Sequence, residues 1–155
     1  MNIFAVDNHP EISAQQLCNK HVVKMTLETA QLLSSIFPNQ GLYKPTHLKH
    51  PCTLWAKASI HNSYWLYLHG VALAKEYSAR YHKTHKSLDV IYRAGQFIKN
   101  ADWRLHTPFA LAMPDKYKQS DPVLSYRAYY CGEKAAIAEW PIGKIPHWFT
   151  GDLNV

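Results

Sequence analysis

Residues 13–37, SAQQLCNKHVVKMTLETAQLLSSIF, read as one long helix, capped by Ser13 and closed by Pro38-Asn39-Gln40-Gly41. Val23, Leu27, Ala30 and Phe37 fall four, three and seven residues apart, which is the spacing of an apolar stripe. His21, Lys24, Glu28, Gln31 and Ser35 fall on a second stripe, made of polar groups. Two readings of that second stripe stay open. It is either a solvated face with charge pairs one turn apart, or a site in which Glu28 is the working carboxylate and His21 and Lys24 hold an anionic substrate. Either way the stretch sets the fold class as helical.

At 155 residues the chain is long enough for one domain, 1–155, with a core that needs no metal or disulfide. Hydrophobic residues make up 47%, with five Trp and ten Tyr, which excludes a disordered chain. A formal charge of +6 and ten His suit a polyanionic or phosphate-bearing partner. Cys18, Cys52 and Cys131 are far apart, form no CxxC pair and read as reduced thiols of a cytoplasmic protein. The start, MNIFAVDNHP, lacks the basic and apolar regions of a signal peptide, and no apolar run is long enough for a membrane span.

Taken in order, Asn2 to Val6 is a short strand or an extended arm, closed by Asp7-Asn8-His9-Pro10. After the long helix, LYKPTHLKH (42–50) is irregular, because Pro45 and Pro51 each push the residue before them toward extension. Pro51 opens a helix to about Ile60, and His61-Asn62-Ser63 forms a break before a second long helix, Tyr64 to His82. Ser87 caps a helix from Leu88 to Lys99, and a loop follows to Gln119. Asp121-Pro122 opens a helix that runs through Tyr130 toward Ala138. The tail, WPIGKIPHWFTGDLNV, is broken by Pro and Gly, and its Trp140, Trp148 and Phe149 pack it back onto the helices. The expected architecture is a mostly α single domain of about four to five helices, with an extended N-terminal arm and an irregular aromatic tail.

Few familiar constellations are present. His47/His50 and His82/His85 are two HxxH pairs, with neither a Cys pair nor HExxH beside them, so a metal site requires both pairs to meet. GxSxG, P-loop and GxGxxG patterns are absent, and no cofactor is expected. LYKPTHLKHP and EYSARYHKTHKS mix cations with aromatic planes. That composition suits phosphate contacts from His47, His50, Arg80, Lys83, His85 and Lys86, with Tyr43 among them. The plain alternative is core tyrosines beside a solvated helix end.

An arm followed by a long helix with His21 and Glu28 in HVVKMTLE, then Tyr43…His50-Pro51 leading into a helix, then Glu76-Tyr77…Arg80-Tyr81, resembles the pyrimidine-dimer DNA glycosylases. The resemblance covers about residues 1–87. It implies that a terminal α-amino group attacks the sugar C1′ of a damaged nucleotide, assisted by the helix glutamate. Here these would be the Met1 amine and Glu28, with His21 beside them and Lys24 as the nearest cation. Two departures stand out. Leu27 occupies the position where the family usually carries arginine, and Asn2 disfavours removal of the initiator Met. An α-amine of ordinary pKa, about 7.7–8.0, keeps a minor neutral fraction near pH 7, and that fraction is able to attack.

The chain also resembles uncharacterised phage proteins, whose location would be the host cytoplasm. Two functions follow as expectations. One is a DNA N-glycosylase/lyase acting on damaged or modified bases. The other is a non-catalytic nucleotide-binding protein, for example a phage sponge for a nucleotide immune signal. The partner is DNA or a phosphate-bearing nucleotide in both, with no membrane involved.

Overall fold

The N-terminal arm does not float. Ile3, Phe4, Ala5 and Val6 are all buried, and the arm runs through the interior without forming a strand. Ser13 ties it down, its hydroxyl accepting from Val6 N–H and donating to the Phe4 carbonyl. Phe4 itself takes a left-handed φ of 44°, a strained conformation for a large side chain.

The computed structural model describes residues 1–151; the last four positions of the aromatic tail lie outside the described residues. The described residues are helical, with no strand. The helices are α1 (Pro10–Gln16), α2 (Asn19–Ile36), α3 (Pro51–Ala58), α4 (Ile60–Tyr81), α5 (Leu88–Gly95) and α6 (Pro122–Cys131), and three short 3₁₀ turns follow α5 and α6. Helix α4 is the central post, packing on α1, α2, α3 and α5. None of these helices is long and apolar enough to cross a membrane.

The expected Ser13–Phe37 helix is in fact two. α1 begins at Pro10 under a His9 cap, and the chain turns extended at Leu17 and Cys18. Tertiary contacts outweigh helix continuity here. The Arg80 guanidinium on α4 donates to the carbonyls of Gln15 and Leu17 and to the Asn19 side chain. The Tyr130 hydroxyl accepts from Cys18 N–H, and Asn19 N–H donates to Glu139 O. The open backbone groups at the break are thereby satisfied.

The stripes of α2 also differ from expectation. Val23 and Leu27 are about 40% exposed, whereas His21, Glu28 and Ser35 of the polar stripe are buried. The core face is Val22, Met25, Ala30, Leu32 and Leu33, with Thr26 and Thr29. α2 and α4 approach closely at Gly70, where a Cβ would lie 2.5 Å from Thr29 Cγ2.

The remaining boundaries shift for local reasons. Ser59, not His61–Ser63, separates α3 from α4, its hydroxyl accepting from His61 N–H. Asn62 and Ser63 sit inside α4 and donate to the Trp55 and Ala56 carbonyls. Ser87 makes no side-chain cap, its hydroxyl being bonded to Tyr43, and α5 ends at Gly95. α6 stops at Gly132, where a Cβ would meet the Tyr117 hydroxyl at 2.4 Å, and the chain continues as the 3₁₀ turn Glu133–Ile137. Trp140 and Trp148 do pack the tail inward. Both rings meet Tyr130, and both indoles donate to Gln16.

Candidate active site

A cavity of about 340 Å³ opens where the arm crosses α2. Met1, Asn2, Phe4, His21, Lys24, Met25, Glu28, His50, Ala112, Tyr129 and Lys134 line it. Glu28 lines it from α2. Its Oε1 is 3.2 Å from the Met1 α-amine and accepts from Asn2 N–H at 3.1 Å. Its Oε2 is buried and has no hydrogen-bond partner among the described residues. A carboxylate oxygen left unpaired in a buried setting is costly and is complementary to an incoming donor.

Asn2 fixes the geometry of the terminus. Its Oδ1 accepts from Ile3 N–H and Phe4 N–H, while its Nδ2 donates to Ala112 O. The Phe4 ring stacks on His21 with centroids 4.1 Å apart and on Tyr129 at 5.8 Å, forming an aromatic wall.

His21 Nδ1 shares a 2.5 Å hydrogen bond with the Tyr130 hydroxyl. Burial, aided by Lys134 and Lys24, pushes the His21 pKa down to about 3, so the ring is neutral at physiological pH. A neutral ring brings no positive charge to the cavity. Burial also lowers the His50 pKa, with the terminal amine and His47 adding to the effect and Glu28 opposing it. His50 Nδ1 caps α3 by accepting from Cys52 N–H, which leaves its proton on Nε2.

Of the residues singled out in the sequence, Met1, His21, Lys24, Glu28 and His50 meet in the cavity. The others lie elsewhere. The Arg80 side chain is 5% exposed and ion-paired to Glu76, with its other donors spent on the α1–α2 break. Tyr43 bonds Ser87, and His85 uses both ring nitrogens, accepting from Ser87 N–H and donating to Val23 O. His47, Lys83 and Lys86 are exposed. The His47 and His50 rings are 6.5 Å apart, and no group of three or more His, Cys, Asp or Glu among the described residues is arranged to hold a metal.

The sequence points to Asn2 only as a residue that disfavours removal of Met1, and it gives no role to Phe4, Ala112, Tyr129 or Lys134. The last three lie more than eighty residues from Glu28 in sequence, and no local spacing links them to it. The only signal was the run of tyrosines on α6.

A family model described as pyrimidine dimer DNA glycosylase matches residues 1–89, more than half of the 155. The chain belongs to that family. No curated protein and no solved structure matches it. Membership indicates a function of the pyrimidine dimer DNA glycosylase kind, with DNA as substrate. The matched span includes Met1, His21, Lys24, Glu28 and His50, whereas Ala112, Tyr129 and Lys134 lie beyond it.

Proposed function

We propose that this protein is a DNA N-glycosylase/lyase in which the Met1 α-amine is the nucleophile and Glu28 handles the protons. The observation that carries this reading is the 3.2 Å approach of the amine to a buried carboxylate inside a cavity. A carboxylate at that distance accepts a proton from the ammonium and leaves a nitrogen lone pair.

The lone pair attacks the sugar C1′ of the damaged nucleotide. The C1′–N glycosidic bond breaks, and the base departs with the electron pair and gains a proton. Opening of the C1′–O4′ bond and loss of a proton from nitrogen give an imine between Met1 and the sugar. Glu28 Oε2, which has no hydrogen-bond partner among the described residues, would meet the sugar oxygen or the migrating proton. Neutral His21, held by Tyr130, orients the wall of the site. Lys24 and His50 contact the nucleotide, and exposed Lys83 and Lys86 contact the DNA backbone from outside the cavity.

The test is Glu28→Gln on a duplex carrying a pyrimidine dimer. The amide keeps the shape of the side chain and an acceptor for Met1 and Asn2. Cleavage should fall at least about a hundredfold while duplex affinity stays near wild type. Equal loss of both would count against a catalytic carboxylate. Wild-type affinity for a nucleotide with no cleavage in either protein would favour a binding module.

A further inference from the structure

Lys24 and Lys134 line the same cavity from different elements, α2 and the 3₁₀ turn after α6. Neither ammonium has a carboxylate partner among the described residues. With the Met1 amine they set three basic groups against one carboxylate, Glu28. A concave lining with that surplus focuses its field on an anion.

Lys134 is also placed by the aromatic wall. Its Nζ lies 5.2 Å from the Tyr129 ring centroid and 6.0 Å from that of Phe4. Both lysines act electrostatically on His21, which sits between Phe4 and Tyr130. Both cations thus belong to the cavity lining that also holds the Met1 amine.

We propose that Lys24 and Lys134 form a phosphate subsite of this cavity, with Phe4 and Tyr129 as the aromatic wall beside it. It rests on the glycosylase reading for its role in turnover, where it holds the phosphate of the nucleotide whose C1′ meets the amine. Its binding chemistry does not depend on that reading. Lys134 and Tyr129 fall outside the family match, so this half of the subsite is supplied by the chain's own C-terminal region.

Inorganic phosphate is the first probe, titrated into the full chain while the His21 ring resonances are followed by NMR. The wild type should show a saturable shift. Lys24→Gln and Lys134→Gln should each weaken it roughly tenfold, and Lys134→Arg should restore it, because the charge returns without a change in fold. Unmoved resonances, or wild-type affinity in Lys134→Gln, overturn the proposal.

A 5′-deoxymononucleotide and a damaged duplex are then competed against phosphate. Displacement by the duplex, with Lys134→Gln lowering the slope of log K against log salt by about one, assigns the phosphate to the DNA backbone. Displacement by the mononucleotide alone assigns it to a free nucleotide. Displacement by neither overturns the subsite. A protein that binds phosphate through both lysines yet never cleaves a damaged duplex would retract the glycosylase reading and leave the subsite standing.

Discussion

Asn2 N–H and the Met1 α-amine converge on the same oxygen of Glu28, at 3.1 and 3.2 Å. The convergence requires the arm to bend sharply at once, and the Asn2 side chain enforces that bend by bonding Ile3, Phe4 and Ala112. Asn2→Leu keeps the bulk and removes all three bonds. Imine formation on abasic-site DNA should then slow by about a hundredfold, the cost of an angstrom-scale misplacement of a reacting group. Single-turnover trapping measures the rate, and a wild-type rate in Asn2→Leu would show that the arm is positioned by packing alone.

Arg80 is a structural cation. Its guanidinium joins α4 to the α1–α2 break through Gln15, Leu17 and Asn19 and pairs with Glu76. Lysine cannot reproduce that fork. Arg80→Lys should lose about 2–4 kcal/mol of stability by urea unfolding. Duplex affinity per folded molecule should stay unchanged, and a selective loss of affinity would return Arg80 to the DNA-contacting set.

Stability should fall with acid in a defined window. Burial holds both His21 and His69 down to a pKa of about 3, against about 6.5 in the unfolded chain. Between those values the unfolded state binds more protons. The contribution is therefore fully present above about pH 6.5 and is lost as pH falls toward 3, by up to about 1.4 kcal/mol per pH unit for each ring. Urea unfolding at pH 7, 6 and 5 checks this, and a flat profile would contradict it.

His69 supplies a sharper form of the same test. It is fully buried, stacks on Trp65 at 4.7 Å and has no hydrogen-bond partner on either ring nitrogen among the described residues. His69→Phe removes an uncompensated polar burial and should stabilise the protein by about 1–3 kcal/mol at pH 7. It should also remove one histidine's share of the acid slope. A loss of stability would mean that the imidazole makes a contribution its surroundings do not explain.

The helical class was legible, and so was a shared face for His21 and Glu28, which both line the cavity, because both readings ride on a helical period within α2. The extended arm was legible from its β-branched and aromatic run before Asp7-Asn8-His9-Pro10. The break at Leu17-Cys18 was not, since it is imposed by Arg80 and Tyr130 from elements more than sixty residues away. The burial of polar-stripe residues on α2 has a similar cause. Glu28 and His21 are buried because the arm lies over them, and no property of α2 alone announces that cover. Lys134 was invisible for the same reason: in sequence it is one lysine between a glutamate and an alanine.

The central claim is that the Met1 nitrogen bonds to the sugar. Borohydride reduction during reaction with a dimer-bearing duplex tests it most directly, followed by peptide mapping of the covalent adduct by mass spectrometry. The expected adduct lies on the N-terminal peptide at Met1 and is absent in Glu28→Gln. An adduct on a lysine side chain, or no adduct while the glycosidic bond is still cleaved, would contradict it.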